Sequence, residues 1–94
     1  FAAAALDDHV LGAYRLGEAV MVSVQIDLPD DARLIGRSIL EAEQQLGAPV
    51  VGVRRRGQPA THKFSRQELL ARGDALICHV SVEEIAGVKA TAAR

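Results

Sequence analysis

The stretch Arg33-Leu34-Ile35-Gly36-Arg37-Ser38-Ile39 decides how this chain is read. On its N-terminal side Val20, Val22, Val24, Ile26 and Leu28 alternate with Met21, Ser23, Gln25 and Asp27. Period two over that span predicts a strand with one buried and one wetter face. Pro29 ends it, because it donates no ladder hydrogen bond. Asp30 and Asp31 are placed to cap a helix and suit its positive end. Ile35, Ile39, Ala42 and Leu46 recur at helical spacing as its buried stripe. Gly36 costs about 0.5–1 kcal/mol inside a helix, so its place near the start marks a close approach to a strand or another chain. Gly47 stops the helix, with Pro49 just beyond.

Working outward, Val50, Val51 and Val53 make a short apolar strand that runs into Arg54-Arg55-Arg56-Gly57. Arg56-Gly57-Gln58 reads as a turn and Pro59 to Lys63 as a third strand. Ser65-Arg66-Gln67-Glu68 matches a capping box for one or two helical turns carrying Leu69 and Leu70. Gly73-Asp74 breaks that helix. A fourth strand follows, in which Leu76, Cys78 and Val80 alternate with Ile77 and His79. Ser81-Val82-Glu83-Glu84 is a second capping box, opening a final helix with Val82, Ile85 and Val88 inside. Phe1 to Leu6 reads as the tail of a preceding helix, and Asp7 to Gly17 as a linker. The expected order is β-α-β-β-(short helix)-β-α. This is an α+β fold with a four-stranded mixed, mostly antiparallel sheet and helices on one face. The helix between the first two strands suits a right-handed crossover. Residues 1–17 are assigned to a preceding tail and linker, 18–88 to the domain, and 89–94 to a frayed tail.

Composition narrows the function. The chain has 94 residues, enough for one domain. Aromatics are only 3%, which argues against stacking on single-stranded nucleic acid. Net charge is −1, so neither DNA nor anionic membranes attract the chain as a whole. Cys78 is the only cysteine and can form no internal disulfide, consistent with a reducing cytoplasm. No stretch approaches the roughly 20 apolar residues needed to cross a bilayer.

Catalytic and metal chemistry find no support. His9, His62 and His79 share no ligand spacing, and Cys78 and His79 point to opposite strand faces. Ser23, Ser38, Ser65 and Ser81 all have structural readings, and no G-x-S-x-G elbow occurs. Asp30-Asp31 and Glu83-Glu84 fall in first helical turns, where the dipole favours them. The chain is read as a non-enzyme with no catalytic residue and no metal site. The strongest candidate site is Arg54-Arg55-Arg56 with His62 across a short hairpin, because guanidinium forks suit phosphate and carboxylate groups. No basic helix accompanies this cluster, which argues against double-stranded DNA.

The pattern resembles the C-terminal regulatory domain of the RCK family, also called the TrkA-C domain. Leu34-Ile35-Gly36-Arg37-Ser38-Ile39 matches its Leu-x-Gly-[Lys/Arg]-[Ser/Thr]-hydrophobic segment. Val50-Val51-Gly52-Val53-Arg54 matches its apolar strand ending in arginine, and Arg56-Gly57 its polar glycine turn. Leu70-Ala71-Arg72-Gly73-Asp74-Ala75-Leu76 and Ser81 to Val88 match its closing turn, strand and helix. The chain departs from the family at Lys63, where proline is frequent, and at Cys78-His79-Val80-Ser81, where the strand often ends in glycine.

The resemblance implies a cytoplasmic homodimer at the inner face of the membrane. It would bind a small anionic or nucleotide effector at the dimer interface, cyclic di-AMP in some members, and gate a potassium channel or uptake transporter. It points to Val51, Val53, Arg54, Arg55 and His62 as ligand-binding. It implies no cofactor within this stretch, and a preceding Rossmann-type domain that would take NAD or ATP. The alternatives are a structural dimerisation module without effector and the regulatory domain of a cation antiporter.

Overall fold

The computed structural model describes residues 10–94. The expected helix tail at Phe1 to Leu6, with His9, lies outside the described residues. Four strands form one sheet: β1 (Val10–Leu16), β2 (Ala19–Asp27), β3 (Val50–Arg54) and β4 (Ala75–Ser81). Among the described residues two helices accompany it, α1 (Ile39–Leu46) and α2 (Ile85–Ala92), the second entered through a 3₁₀ turn at Val82–Glu84. The architecture is the expected α+β class. Every sheet pairing is antiparallel, in the order β1-β2-β4-β3.

The alternation read in β2 is the observed one. Val22, Val24, Ile26 and Leu28 are buried, and in β4 so are Leu76, Cys78 and Val80. Register brings Val22 opposite Val80, Val24 opposite Cys78 and Ile26 opposite Leu76. This apolar layer meets Ile39, Ala42 and Leu46 of α1 and Ile85, Val88 and Ala92 of α2. On the other sheet face the Tyr14 hydroxyl hydrogen-bonds His79 Nδ1 at 3.2 Å. Both β2 and β3 run antiparallel to β4, so the β2-α1-β3 connection joins strands of like direction with β4 between them. No helix among the described residues is long and apolar enough to cross a membrane.

Five local expectations are corrected. The linker assigned to 7–17 contains β1, which pairs along β2 from Val10–Val24 to Leu16–Ala19. Its pattern was hard to read because residues 12–19 are exposed and β1 lies at a sheet edge.

The first helix begins at Ile39, not at Asp30-Asp31. Its N-cap is Ser38, whose Oγ accepts the Glu41 N–H at 3.1 Å while Glu41 reaches back to the Ser38 N–H in a capping box. Leu34-Ile35-Gly36-Arg37 is instead a turn, closed by the Arg37 N–H on the Leu34 carbonyl at 2.9 Å. Gly36 has φ 85, a conformation that side-chain-bearing residues rarely adopt.

Pro59 to Lys63 contributes only a single bridge, Val53 with Thr61. Ser65 to Leu70 forms no helix. The Ser65 N–H does donate to Glu68 Oε2 at 2.6 Å, but the backbone from 66 to 70 pairs with 36 to 40. The Gly36 N–H donates to Leu70 O (2.7 Å), Ile39 N–H to Glu68 O (3.0 Å) and Leu40 N–H to Arg66 O (2.9 Å). Finally, the tail read as frayed from 89 is helical to Ala92, which is buried, and the Arg94 carbonyl accepts the Arg33 N–H at 2.6 Å.

Candidate functional site

The three arginines leave β3 at one end of the sheet, and each goes to a different place. Arg54 sits opposite Ala75 and pairs with Asp27 of β2 at 3.5 Å. The two side chains are 38% and 50% exposed, so this contact is weak, and Arg54 Nε is buried with no hydrogen-bond partner.

Arg55 turns the other way. Its Nη1 donates to the Leu69 carbonyl at 3.1 Å and to Asp74 Oδ2, and its Nη2 to Glu68 Oε1 at 3.0 Å. Asp74 is a buried acid, 3% exposed, and also accepts the Ala71 N–H at 2.9 Å. Burial opposes the Arg55 charge, but hydrogen bonds to Asp74 and Glu68 outweigh it and raise the guanidinium above its ordinary value. The Ser65 N–H and then Arg55 hold the Glu68 carboxyl below its usual range. Arg55 is therefore a structural tie between the end of β3 and the 68–74 turn. An incoming anion would have to displace the half-exposed Glu68 or the buried Asp74 carboxylate to reach it.

Arg56 belongs to the expected arginine cluster but is not among the residues to which the family resemblance points. It has no ion-pair partner among the described residues, and its stem lies over Gly73. A Cβ built there would meet Arg56 Cδ at 2.7 Å. Gly73 has φ 86 and is the third residue of the Ala71–Asp74 turn, closed by the Asp74 N–H on Ala71 O at 3.2 Å. Arg72, next to Gly73, is exposed, as are His62 and Lys63, and none of the three side chains has an ionic partner among the described residues.

Of the other expected site residues, Val53 is 1% exposed, and its N–H and C=O both bond Thr61 at 2.9 Å. Neither its side chain nor its backbone is open to a ligand in this chain. Val51 is 37% exposed, at a bulge where the β3–β4 register shifts between Val50 and Gly52. Arg56, Arg72, His62 and Lys63 thus stand without an ionic partner among the described residues, on the two turns and the segment beyond β3. Arg54 and Arg55 are engaged with carboxylates. A signal for the latter was present, since an Asp that enters an apolar strand directly after a glycine turn, as Asp74 does, needs a cation if it is buried.

Cys78 lies in the core at 0% exposure. Burial, with Glu43 nearby, pushes its thiol up to about 12, so it is a poor nucleophile.

No family model and no curated protein matches the chain. Among solved structures it is similar to the RCK_C domain dimer of S. agalactiae BusR in complex with c-di-AMP. The TM-score is 0.60 at 20% identity, covering 73% of this chain and 92% of that one. That likeness is one of fold.

Proposed function

We propose that this chain is the regulatory domain of a potassium channel or uptake transporter. It works as a cytoplasmic homodimer over residues 18–88 together with β1. An anionic nucleotide of the cyclic di-AMP class seats between the two subunits and biases the attached membrane protein. The observation that carries this reading is the shared fold with an RCK_C domain dimer in complex with c-di-AMP. The side chains left without an ionic partner support it. In a two-fold dimer each of Arg56, Arg72, His62 and Lys63 is present twice, which matches a ligand with two phosphates. Val51 offers half-exposed apolar surface on β3, the strand that leads to Arg56. Coupling of about 1–3 kcal/mol between effector and pore is enough for clear regulation.

The test is a thermal shift with cyclic di-AMP. Ligand at 100 times its Kd stabilises by about 2.7 kcal/mol, or about 10 °C or more in a domain of this size. Arg56→Ala should remove most of the shift and Arg54→Ala little of it. Equal loss from both would misplace the site, and no shift with wild-type protein would sink the sensing claim.

A second reading is a dimerisation module without effector. It is favoured by the engagement of Arg54 and Arg55 with Asp27, Glu68 and Asp74. It gives the same dimer by sedimentation and no thermal shift.

A further inference from the structure

Two successive arginines leave the end of β3 toward one turn. The stem of Arg56 lies over Gly73, and Arg55 Nη1 donates to Asp74 in the same Ala71–Asp74 turn. The Leu69 carbonyl also accepts from Nη1, at 3.1 Å. That arm of the guanidinium is fixed by a buried carboxylate. The other arm meets a partner of another kind. Nη2 donates to Glu68 Oε1 at 3.0 Å, and the Glu68 side chain is 44% exposed. Glu68 is itself aimed by the backbone, because its Oε2 accepts the Ser65 N–H at 2.6 Å. It is ionised at neutral pH, since the Ser65 N–H and then Arg55 hold it below its usual range. A carboxylate oxygen and a phosphate oxygen make the same demand on a guanidinium N–H. Glu68 Oε1 thus stands where an oxygen of an anionic ligand would stand, at the surface, on a guanidinium whose orientation is already set.

We propose that Glu68 is a built-in competitor of the effector, an internal anion that covers the outward arm of Arg55 and that a phosphate group displaces. This rests on the reading above for the identity of the effector, but the contact itself concerns anions in general. Arg55 keeps both roles, because Nη1 ties β3 to the turn through Asp74 whether or not Nη2 is covered. The displaced Glu68 retains the Ser65 N–H and is open to water, so eviction uncovers no buried charge. Asp74 allows no such exchange, since parting it from Arg55 would leave a carboxylate buried without a cation. Glu68 therefore raises the concentration at which an effector acts and turns away ligands that carry no negative charge.

Glu68→Gln is the decisive variant. Its amide oxygen can still accept the Ser65 N–H, while the charge that holds Nη2 is gone. Wild type, Glu68→Gln and the double variant Glu68→Gln/Arg55→Lys are titrated calorimetrically with inorganic pyrophosphate and, separately, with cyclic di-AMP. Circular dichroism checks the folding. Glu68→Gln should bind pyrophosphate at least about tenfold tighter than wild type, the worth of one charge-assisted hydrogen bond. Adding Arg55→Lys should abolish the gain, because lysine keeps a positive charge beside Asp74 but has no second arm. A gain that survives Arg55→Lys is only the general effect of one fewer negative charge, and it overturns the proposal. So does a Glu68→Gln protein that binds pyrophosphate no tighter than wild type, or not at all. A merely structural role for Glu68 would lower the melting temperature and leave the affinity unchanged. Cyclic di-AMP tests the proposed function separately. Its failure to bind any form, beside a gain for pyrophosphate, sinks that function and leaves the competitor standing. If the double variant fails to fold, the Arg55 guanidinium resonances of Glu68→Gln decide. They should move when pyrophosphate is added, and unmoved resonances overturn the proposal.

Discussion

Replacing Arg55 by Ala separates a structural tie from a ligand contact. The change leaves Asp74, 3% exposed, with the Ala71 N–H at 2.9 Å as its remaining hydrogen-bond donor. Removing one partner of a fully buried ion pair costs about 3–5 kcal/mol. The Arg55 side chain keeps 27% exposure, so water enters the vacated space. The loss is then about 2–3 kcal/mol, or about 10–20 °C in melting temperature for a domain of this size. Urea unfolding of Arg55→Ala, Asp74→Asn and the double variant measures it. The double variant buries no lone charge and should lose less than the sum of the singles, by at least about 1 kcal/mol. Arg54→Ala is the control, since its contact to Asp27 is exposed and worth about 0–1 kcal/mol. An Arg55→Ala protein within about 0.5 kcal/mol of wild type, or an additive double variant, would refute the assignment of Arg55 as a tie.

Three further outcomes are expected. Glu68 is held below its ordinary value of 4.5, so its contribution to stability is present above that pH and is lost as pH falls through its folded value. Glu68→Gln should therefore flatten the acid limb of a stability profile below about pH 4.5. Cys78, with an ordinary value of 9.0, is raised to about 12, so it favours the folded state fully below pH 9 and progressively less as pH rises from there toward 12. Cys78→Ala should shallow that alkaline fall, and a thiol reagent should label native protein only at the rate of unfolding. Gly36→Ala and Gly73→Ala both force a left-handed residue and should each cost about 1 kcal/mol by urea unfolding. Gly73→Ala must also displace the Arg56 stem, so it alone should weaken binding of an anionic effector.

Elements that face the core were legible in the sequence, because burial on one side writes a period into the chain. β2 and β4 alternate as their register requires, and α1 carries Ile39, Ala42 and Leu46 on its inner side. β1 was missed because an edge strand in which residues 12–16 are exposed carries no buried face to impose alternation. Asp30 and Asp31 drew the helix start too early. The Ser38-x-x-Glu41 signature that sets it went unread, and Gly36, whose φ of 85 belongs to a turn, was placed inside the helix. Ser65 and Glu68 do bond as a capping pair would. Their segment gives its backbone to residues 36–40, a long-range pairing that no local pattern announces. The arginine cluster was visible as a cluster. Which of its members are committed was not, because Asp27, Glu68 and Asp74 come from three separate parts of the chain.

The sheet order has a consequence for how the chain reaches this state. β4, the strand that touches both β2 and β3, is the last to leave the ribosome. A nascent chain ending before Ala75 can close the β1–β2 hairpin, but it holds β3 with no neighbouring strand to lie against. The sheet's midline is thus supplied after both strands that must flank it, and the sheet cannot close until β4 is made.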